Sequence, residues 1–407
     1  MINDSEVVIS SVSSAAGLSF WSPLSQASLF SAKQTTTNHK GLATCSRFFA
    51  TINANSSIVY LFNYGRSSPA FKSVLDVIPL CIDISTDGTI LVVGCSDGSI
   101  RLWDVSTGNL LSNSRLLFTP IVSIALSSCS SYLVIGGEDS SILVFTLSSL
   151  FVAISSPDPS TPSPFSSFSC FSASISDLVF SPVCTPPRLY ASSIDGSFRV
   201  LTPFGEDLFA TAFNSGVVSI AVDLLESVVA VGTLNGSIWI LNTLNLSHCL
   251  SSMKQLSGHS GAVTALSFSE STRKLFSSSA DGSIKVWDVD AGQCISTINL
   301  TGTGGCLRVV PLPPQIMDKR HDNSNIFPLA PLKRVLTTSL SFVVRREDKQ
   351  TSSVQLNNLT ASLLDGLSTA SVSTGSTKLL QEETDWQAEA MKYKMMANQL
   401  LKSLAEQ

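Results

Sequence analysis

The sequence predicts an all-β chain closed into a ring, a seven-bladed β-propeller of four-stranded sheets, with a C-terminal linker and a short amphipathic helix after it. Three observations lead there. Of 407 residues, 44% are hydrophobic and only 14% charged, a balance that suits short strands and tight turns better than long exposed helices. Residues 258–289 read as three strands, two of them joined by a tight turn. The spacing of that turn and the apolar residue after it returns six more times along the chain.

The clearest unit is GHSGAVTALSFSESTRKLFSSSADGSIKVWDV, Gly258 to Val289. Ala262–Phe268 alternates apolar and small residues, Leu275–Ser279 follows, and Asp281-Gly282 turns the chain into Ser283–Trp287. The turn requires positive φ, which glycine tolerates without steric cost. Gly-His before the first strand and Trp-Asp at the end of the third complete the pattern of a WD-repeat blade. Asp281 is placed to accept hydrogen bonds from the turn and from His259. A serine of Leu275–Ser279 is placed to link His259 to the indole N–H of Trp287, a donor that needs a partner once buried. His, Ser and Asp also compose a nucleophilic triad. Propeller blades repeat this geometry for stability, which favours a structural brace over catalysis.

With Asp281 and Trp287 as a ruler, six more pairs match: Ala15/Trp21, Asn55/Leu61, Asp97/Trp103, Asp139/Phe145, Asp195/Leu201 and Asn235/Leu241. Successive turns lie 40, 42, 42, 56, 40 and 46 residues apart, a blade period, so seven turns imply seven blades. Asn replaces Asp in two turns, a mild change because Asn also supports left-handed backbone. The Trp-Asp pair occurs only at Trp103-Asp104 and Trp287-Asp288. Brace residues are therefore expected at His259, Asp281 and Trp287, and at Asp97 and Trp103. Apolar burial has to hold the other blades.

The longest step contains SSPDPSTPSPFSSFS, whose prolines exclude a strand or helix interior. Residues 155–169 read as an exposed loop between two blades, either a tolerated insertion or a partner-binding or phosphorylated loop. Val7–Val12 aligns with the second strand of the reference unit and leaves no room for a first. Past the seventh unit's last strand, Cys294–Leu300, the stretch Cys306–Pro313 resembles another first strand. The propeller domain is thus read as 1–313, with strand 306–313 closing blade one and removing the open edges. Residues 314–345 read as an extension packed on the propeller, and 346–383 as a Ser/Thr-rich flexible linker.

Residues 384–407 read as a coiled-coil-like helix. Thr384 and Gln387 fit a capping box, and Trp386, Ala390, Tyr393, Ala397, Leu400 and Leu404 recur at alternating spacings of four and three. A helix this short is marginal alone and needs a surface, either its own propeller or another chain, self-association included. Trp386, Tyr393, Leu400 and Leu404 are the expected partner-binding residues.

Other classes fit poorly. The net charge is −5 with no long Lys/Arg block, so direct RNA contact is expected to be weak at most. Nine cysteines, an odd number with no C-x-x-C pair, indicate neither a zinc site nor a disulfide framework, and fit a reducing compartment. The opening MINDSE lacks the order of a signal peptide. The uncharged stretch Leu116 to Gly137 is long enough to span a bilayer, but Pro120 and the serines of 127–131 divide it into two strands, Ile121–Leu126 and Tyr132–Ile135. No membrane association is expected. No metal-ligand spacing, phosphate-cradling glycine loop or convergent carboxylates are found, so no catalytic residue, metal or cofactor is expected.

The order of these features resembles the WD-repeat subunit of the nucleolar pre-rRNA-processing complex, the Rix-complex family. The resemblance rests on IVYLFNYG, IPLCIDISTDGTILVVGCSDGSIRLWDVSTGNLL, the Pro/Ser insertion after GGEDSSILVFTLSSL, AVDLLESVVAVGTLNGSIWIL, LSGHSGAVTALSFS with SSSADGSIKVWDV, and the terminal helix. It implies a non-enzymatic scaffold of the nucleolus and nucleoplasm. Such a protein joins a large helical-repeat scaffold subunit, helps bring a midasin-type AAA ATPase to the pre-ribosomal particle, and supports removal of the internal transcribed spacer. The alternative is a WD-repeat adaptor in another complex, in ubiquitin ligation, chromatin or trafficking.

Overall fold

The computed structural model describes residues 6–313, apart from short breaks at 13–16, 24, 26, 34–36, 54–55, 156–161, 183–186, 244–252 and 271–272, together with 329–333. Seven four-stranded antiparallel sheets make up this part of the chain. Their innermost strands, for blades 1 to 7 in turn, are Gly304–Pro311, Leu42–Thr44, Pro79–Ile84, Ile121–Leu126, Ile175–Phe180, Val217–Val222 and Val263–Phe268. Each inner strand packs beside the next, and the strand of blade 7 beside that of blade 1, so the ring is closed.

Blade 1 is assembled from both ends of the described chain. Gly304–Pro311 lies antiparallel to Glu6–Val12, with Val7 opposite Val310 and Ile9 opposite Arg308. A ring closed this way presents no unpaired inner edge. One apolar cluster fills each gap between neighbouring sheets. Between blades 1 and 2 it is aromatic: the Phe49 and Phe62 rings stack 4.9 Å apart and Phe20 meets Phe49 edge-on at 5.5 Å. Between blades 7 and 1 it joins Phe276 and Ile284 to Val8 and Val309.

A β-bulge recurs near the start of five inner strands, between Pro79 and Cys81, Ile121 and Ser123, Ile175 and Asp177, Val217 and Ser219, and Val263 and Ala265. Bulges re-aim the residue that follows them, and here four such residues reach the next blade. Cys81 Sγ lies 3.4 Å from the carbonyl of Ile121, and Ser219 Oγ donates to that of Val263 at 3.1 Å. Ser123 Oγ accepts from the Leu178 N–H at 3.1 Å, and Asp177 Oδ2 from the Ile220 N–H at 2.8 Å.

One expectation for the strand order differs from the structure, and one is met. The Pro/Ser segment does not lie between two blades. Ser166–Phe168 pairs with Val144 and Ile142 as the outer strand of blade 4, and a helix, Leu147–Ser155, follows that blade's third strand. The insertion is therefore inside a blade, because the sheet still takes its fourth strand from the chain beyond the prolines. The uncharged stretch 116–137 forms strands Ile121–Leu126 and Tyr132–Gly137, and no helix among the described residues is long and apolar enough to cross a membrane. The helix expected over 384–407, with Trp386, Tyr393, Leu400 and Leu404, lies outside the described residues.

Candidate functional site

Blade 7 brings His259, Ser277, Asp281 and Trp287 into one chain of hydrogen bonds. The strands Lys274–Ser279 and Ser283–Asp288 pair with Leu275 opposite Trp287, which puts Ser277 and the indole on the same face of the sheet. Trp287 Nε1 donates to Ser277 Oγ at 2.8 Å. Ser277 Oγ is 2.7 Å from His259 Nε2, and His259 Nδ1 is 2.8 Å from Asp281 Oδ2. An indole only donates, so Ser277 accepts from it and gives its own proton to Nε2, leaving Nδ1–H to donate to the carboxylate. Every donor in the relay then has an acceptor.

Charge states agree with this accounting. Burial holds the His259 imidazolium below its ordinary pKa, against the opposing pull of Asp281, so the ring is neutral at physiological pH. Burial alone would raise Asp281, but hydrogen bonds from Ser283, His259 and the Ser260 N–H together outweigh it and bring the carboxyl down to about 2. Asp281 also caps its own turn, accepting from the Ser283 N–H at 2.9 Å and Oγ at 2.7 Å, with Gly282 at φ 81°. A hydrolytic triad needs an accessible hydroxyl with a free lone pair. Ser277 is 0% exposed and its oxygen is occupied by the indole.

The other tryptophans at the same position differ. In blade 1, Trp21 lies opposite Val8 and its indole donates to Ser10 at 2.9 Å, the counterpart of Ser277, with no histidine. In blade 3, Trp103 lies opposite Leu91, and the counterpart of Ser277 is Val93, which has no acceptor. The indole instead donates to the backbone carbonyl of Lys333 at 2.8 Å. Asp97 and Trp103, expected to share a brace, are not joined: Asp97 only caps its own turn, accepting from the Ser99 N–H at 3.0 Å and Oγ. Blade 3 lacks both the histidine and the serine that would connect them.

Lys333 belongs to a short strap, residues 329–333, against blade 3. Its N–H donates to the Gly108 carbonyl at 2.7 Å, its Nζ to Asn109 Oδ1 at 2.6 Å, and the Ala330 N–H to Val105 at 3.3 Å. Leu332 is buried in the cluster between blades 2 and 3, where Leu329 packs too.

The ring axis carries charges that the sequence reading did not single out. Lys40, in the loop before the inner strand of blade 2, forms an ion pair with Asp177 of blade 5 across the axis. Asp83 Oδ2 accepts from the Leu126 N–H at 2.7 Å, and burial pushes its carboxyl up against that hydrogen bond and the nearby Arg308 and Lys40. The signal available was a lone carboxylate inside an otherwise apolar inner strand. Among the described residues no group of three or more His, Cys, Asp or Glu is arranged to hold a metal.

A closed ring of seven such sheets, with a His–Asp–Trp relay, is that of a WD-repeat propeller protein. A WD domain, G-beta repeat profile matches residues 75–104, and a Vps8 beta-propeller profile matches residues 197–322. The chain is homologous to pre-rRNA-processing WD-repeat proteins and to WD repeat-containing protein 18. It is 30% identical over 272 residues to "WD repeat-containing protein 18" of Danio rerio, which takes in 65% of this chain and 61% of that protein. The human protein of the same name is 30% identical over 54% of this chain and 52% of its own length. "Pre-rRNA-processing protein IPI3" of Yarrowia lipolytica is 24% identical over 60% of this chain and 59% of its own. The chain thus spans between half and two thirds of the length of these relatives.

Proposed function

We propose that this protein is a non-enzymatic WD-repeat scaffold in ribosome biogenesis, acting in pre-rRNA internal-spacer processing and large-subunit maturation. The observation that carries this reading is the similarity, over more than half the chain, to proteins named for pre-rRNA processing. A braced ring supports it, because a rigid scaffold with many loops suits protein recognition. In this proposal the protein works in the nucleolus and nucleoplasm within a Rix-type complex. It joins a helical-repeat subunit and helps recruit a midasin-type AAA ATPase to the pre-ribosomal particle. The segment 384–407, through Trp386, Tyr393, Leu400 and Leu404, supplies a grip separable from the ring. The polar residues His259, Asp281 and Trp287 hold a blade together.

Affinity purification of the full chain from native cells, with and without residues 384–407, tests this. Pre-ribosomal proteins and an AAA ATPase are expected with the full chain and at least a tenfold lower yield of them without the segment. Recovery of vesicle-coat or tethering subunits instead would favour a trafficking adaptor, the reading that the Vps8-type match over residues 197–322 supports.

A further inference from the structure

Both loop faces of the ring expose large apolar side chains, as Phe204, Leu224 and Leu225 do on the face of the turns between first and second strands. On the face that carries the turns between second and third strands, large apolar side chains stand in solvent around the axis. Ile194 is 50% exposed and Leu234 47%, each the residue just before the turn Asp or Asn of its blade. The same position holds Ser96, Glu138 and Ala280 in blades 3, 4 and 7. Ile78 and Phe118, in the connections leading into blades 3 and 4, are 45% and 91% exposed on this face. Between Ile194 and Leu234 a cavity of about 330 Å³ opens, lined also by Leu80, Val122 and Val218 and by His39 and Lys40. That volume falls at the small end of ligand-binding clefts.

Its surroundings are acidic. Asp195 follows Ile194, and the turns of other blades place Asp97, Glu138, Asp139 and Asp281 on the same face. Burial alone would raise Asp195, but hydrogen bonds from Ser197 and Ser172 together hold it well below the ordinary carboxylate range, so it stays charged. Of the nearby cations, Lys40 is committed to Asp177 and Arg115 lies over the Phe118 ring at 5.4 Å. A nucleic-acid backbone or an anionic membrane would meet repulsion here. A second copy docking face to face would oppose the same carboxylates.

We propose that this mouth docks a segment of a partner protein in which one large aliphatic or aromatic side chain is flanked by lysine or arginine. The apolar side chain enters the cavity between Ile194 and Leu234, and the flanking cations meet the turn carboxylates. This assignment is independent of the pathway in which the ring works.

The test is binding of the full chain to an array of short peptides. Their central residue is Leu, Phe, Trp or Ala, and their flanks are Lys/Arg, Ser or Glu. Peptides with a large apolar centre and basic flanks are expected to bind, at least tenfold better than those with Ala centres or Glu flanks, and more weakly as salt rises. Ile194→Ser with Leu234→Ser is expected to weaken binding about tenfold while the melting curve stays that of the parent, since both side chains are already half exposed. Phe118→Ser provides a second variant outside any brace. The proposal is overturned if no such peptide exceeds its Ala control, if Glu-flanked peptides bind as well, or if the double variant binds undiminished. It is also overturned if the face instead mediates self-association that the double variant abolishes.

Discussion

Blades 7 and 3 carry the same Trp-Asp ending and the same Asp-Gly turn, yet they use their tryptophans in opposite ways. In blade 7 the indole closes a relay wholly inside the sheet, through Ser277 and His259 to Asp281. In blade 3 the indole is equally buried but donates to the carbonyl of Lys333, some 230 residues away. The acceptor the indole finds depends on one position on the second strand, Ser277 in one blade and Val93 in the other. An indole N–H that loses its internal acceptor has to find another, and the nearest supply is a passing backbone. One motif thus serves as an internal brace or as a clasp for a distant segment, and a neighbour outside the motif decides which.

Exchanging that neighbour is the severest way to break the contrast. Ser277→Val leaves the Trp287 indole and the His259 ring without their partner in a site with no solvent. At about 1–3 kcal/mol for each of the two unpaired buried groups, the loss is about 2–6 kcal/mol. Chemical denaturation of the two proteins measures it directly. A change below about 1 kcal/mol would mean that the relay contributes little to the fold.

The overall plan was legible in the sequence because turns and strand spacing obey local rules. The Asp-Gly or Asn-Gly turn fixes a positive φ wherever it occurs, as at Gly98, Gly196, Gly236 and Gly282. The geometry of His259, Asp281 and Trp287 was legible too, since all three lie within one repeat. What local rules do not encode was lost. Val93 gives no hint that Trp103 will bind Lys333, because the partner is set by where the chain passes after the ring closes. Lys40 and Asp177 meet only because blades 2 and 5 stand across the axis from one another. The outer strand Ser166–Phe168 was masked by prolines just upstream, though it needs only three residues to pair. Ser123, Asp177 and Ser219, which follow the bulges, read as ordinary strand positions until the bulge turns them toward the next blade.

A smaller effect sharpens the blade 3 side. Trp103→Phe removes the N–H while keeping most of the ring, so it costs about 1 kcal/mol for the lost hydrogen bond and weakens the strap. Val93→Ser should act similarly by a different route, offering the indole an internal acceptor and drawing it away from Lys333. In both variants limited trypsin digestion is expected to cut after Lys333 several-fold faster than in the parent. Equal cutting rates would mean that Leu332, buried beside blade 3, holds the strap without help from the indole.

The least of the three effects is pH dependence, and it belongs to blade 7 alone. His259 has a folded pKa below its ordinary 6.5, so the unfolded chain takes up a proton first as pH falls. The stability tied to the neutral ring is present above about pH 6.5 and is lost as pH falls through the lower folded value. Asp281 acts in a separate window. Its carboxyl, brought down to about 2 in the fold, contributes stability above about pH 4 that is lost as pH approaches 2. His39, lowered by burial and by Lys40, adds a fall parallel to that of His259. His259→Gln should therefore flatten the decline in melting temperature between pH 7 and 5 in part, leaving the share due to His39. Trp103→Phe should leave the slope unchanged, because blade 3 has no imidazole in its brace. If His259→Gln and its parent decline in parallel, the imidazole does not hold the relay in the neutral form that the donor accounting requires.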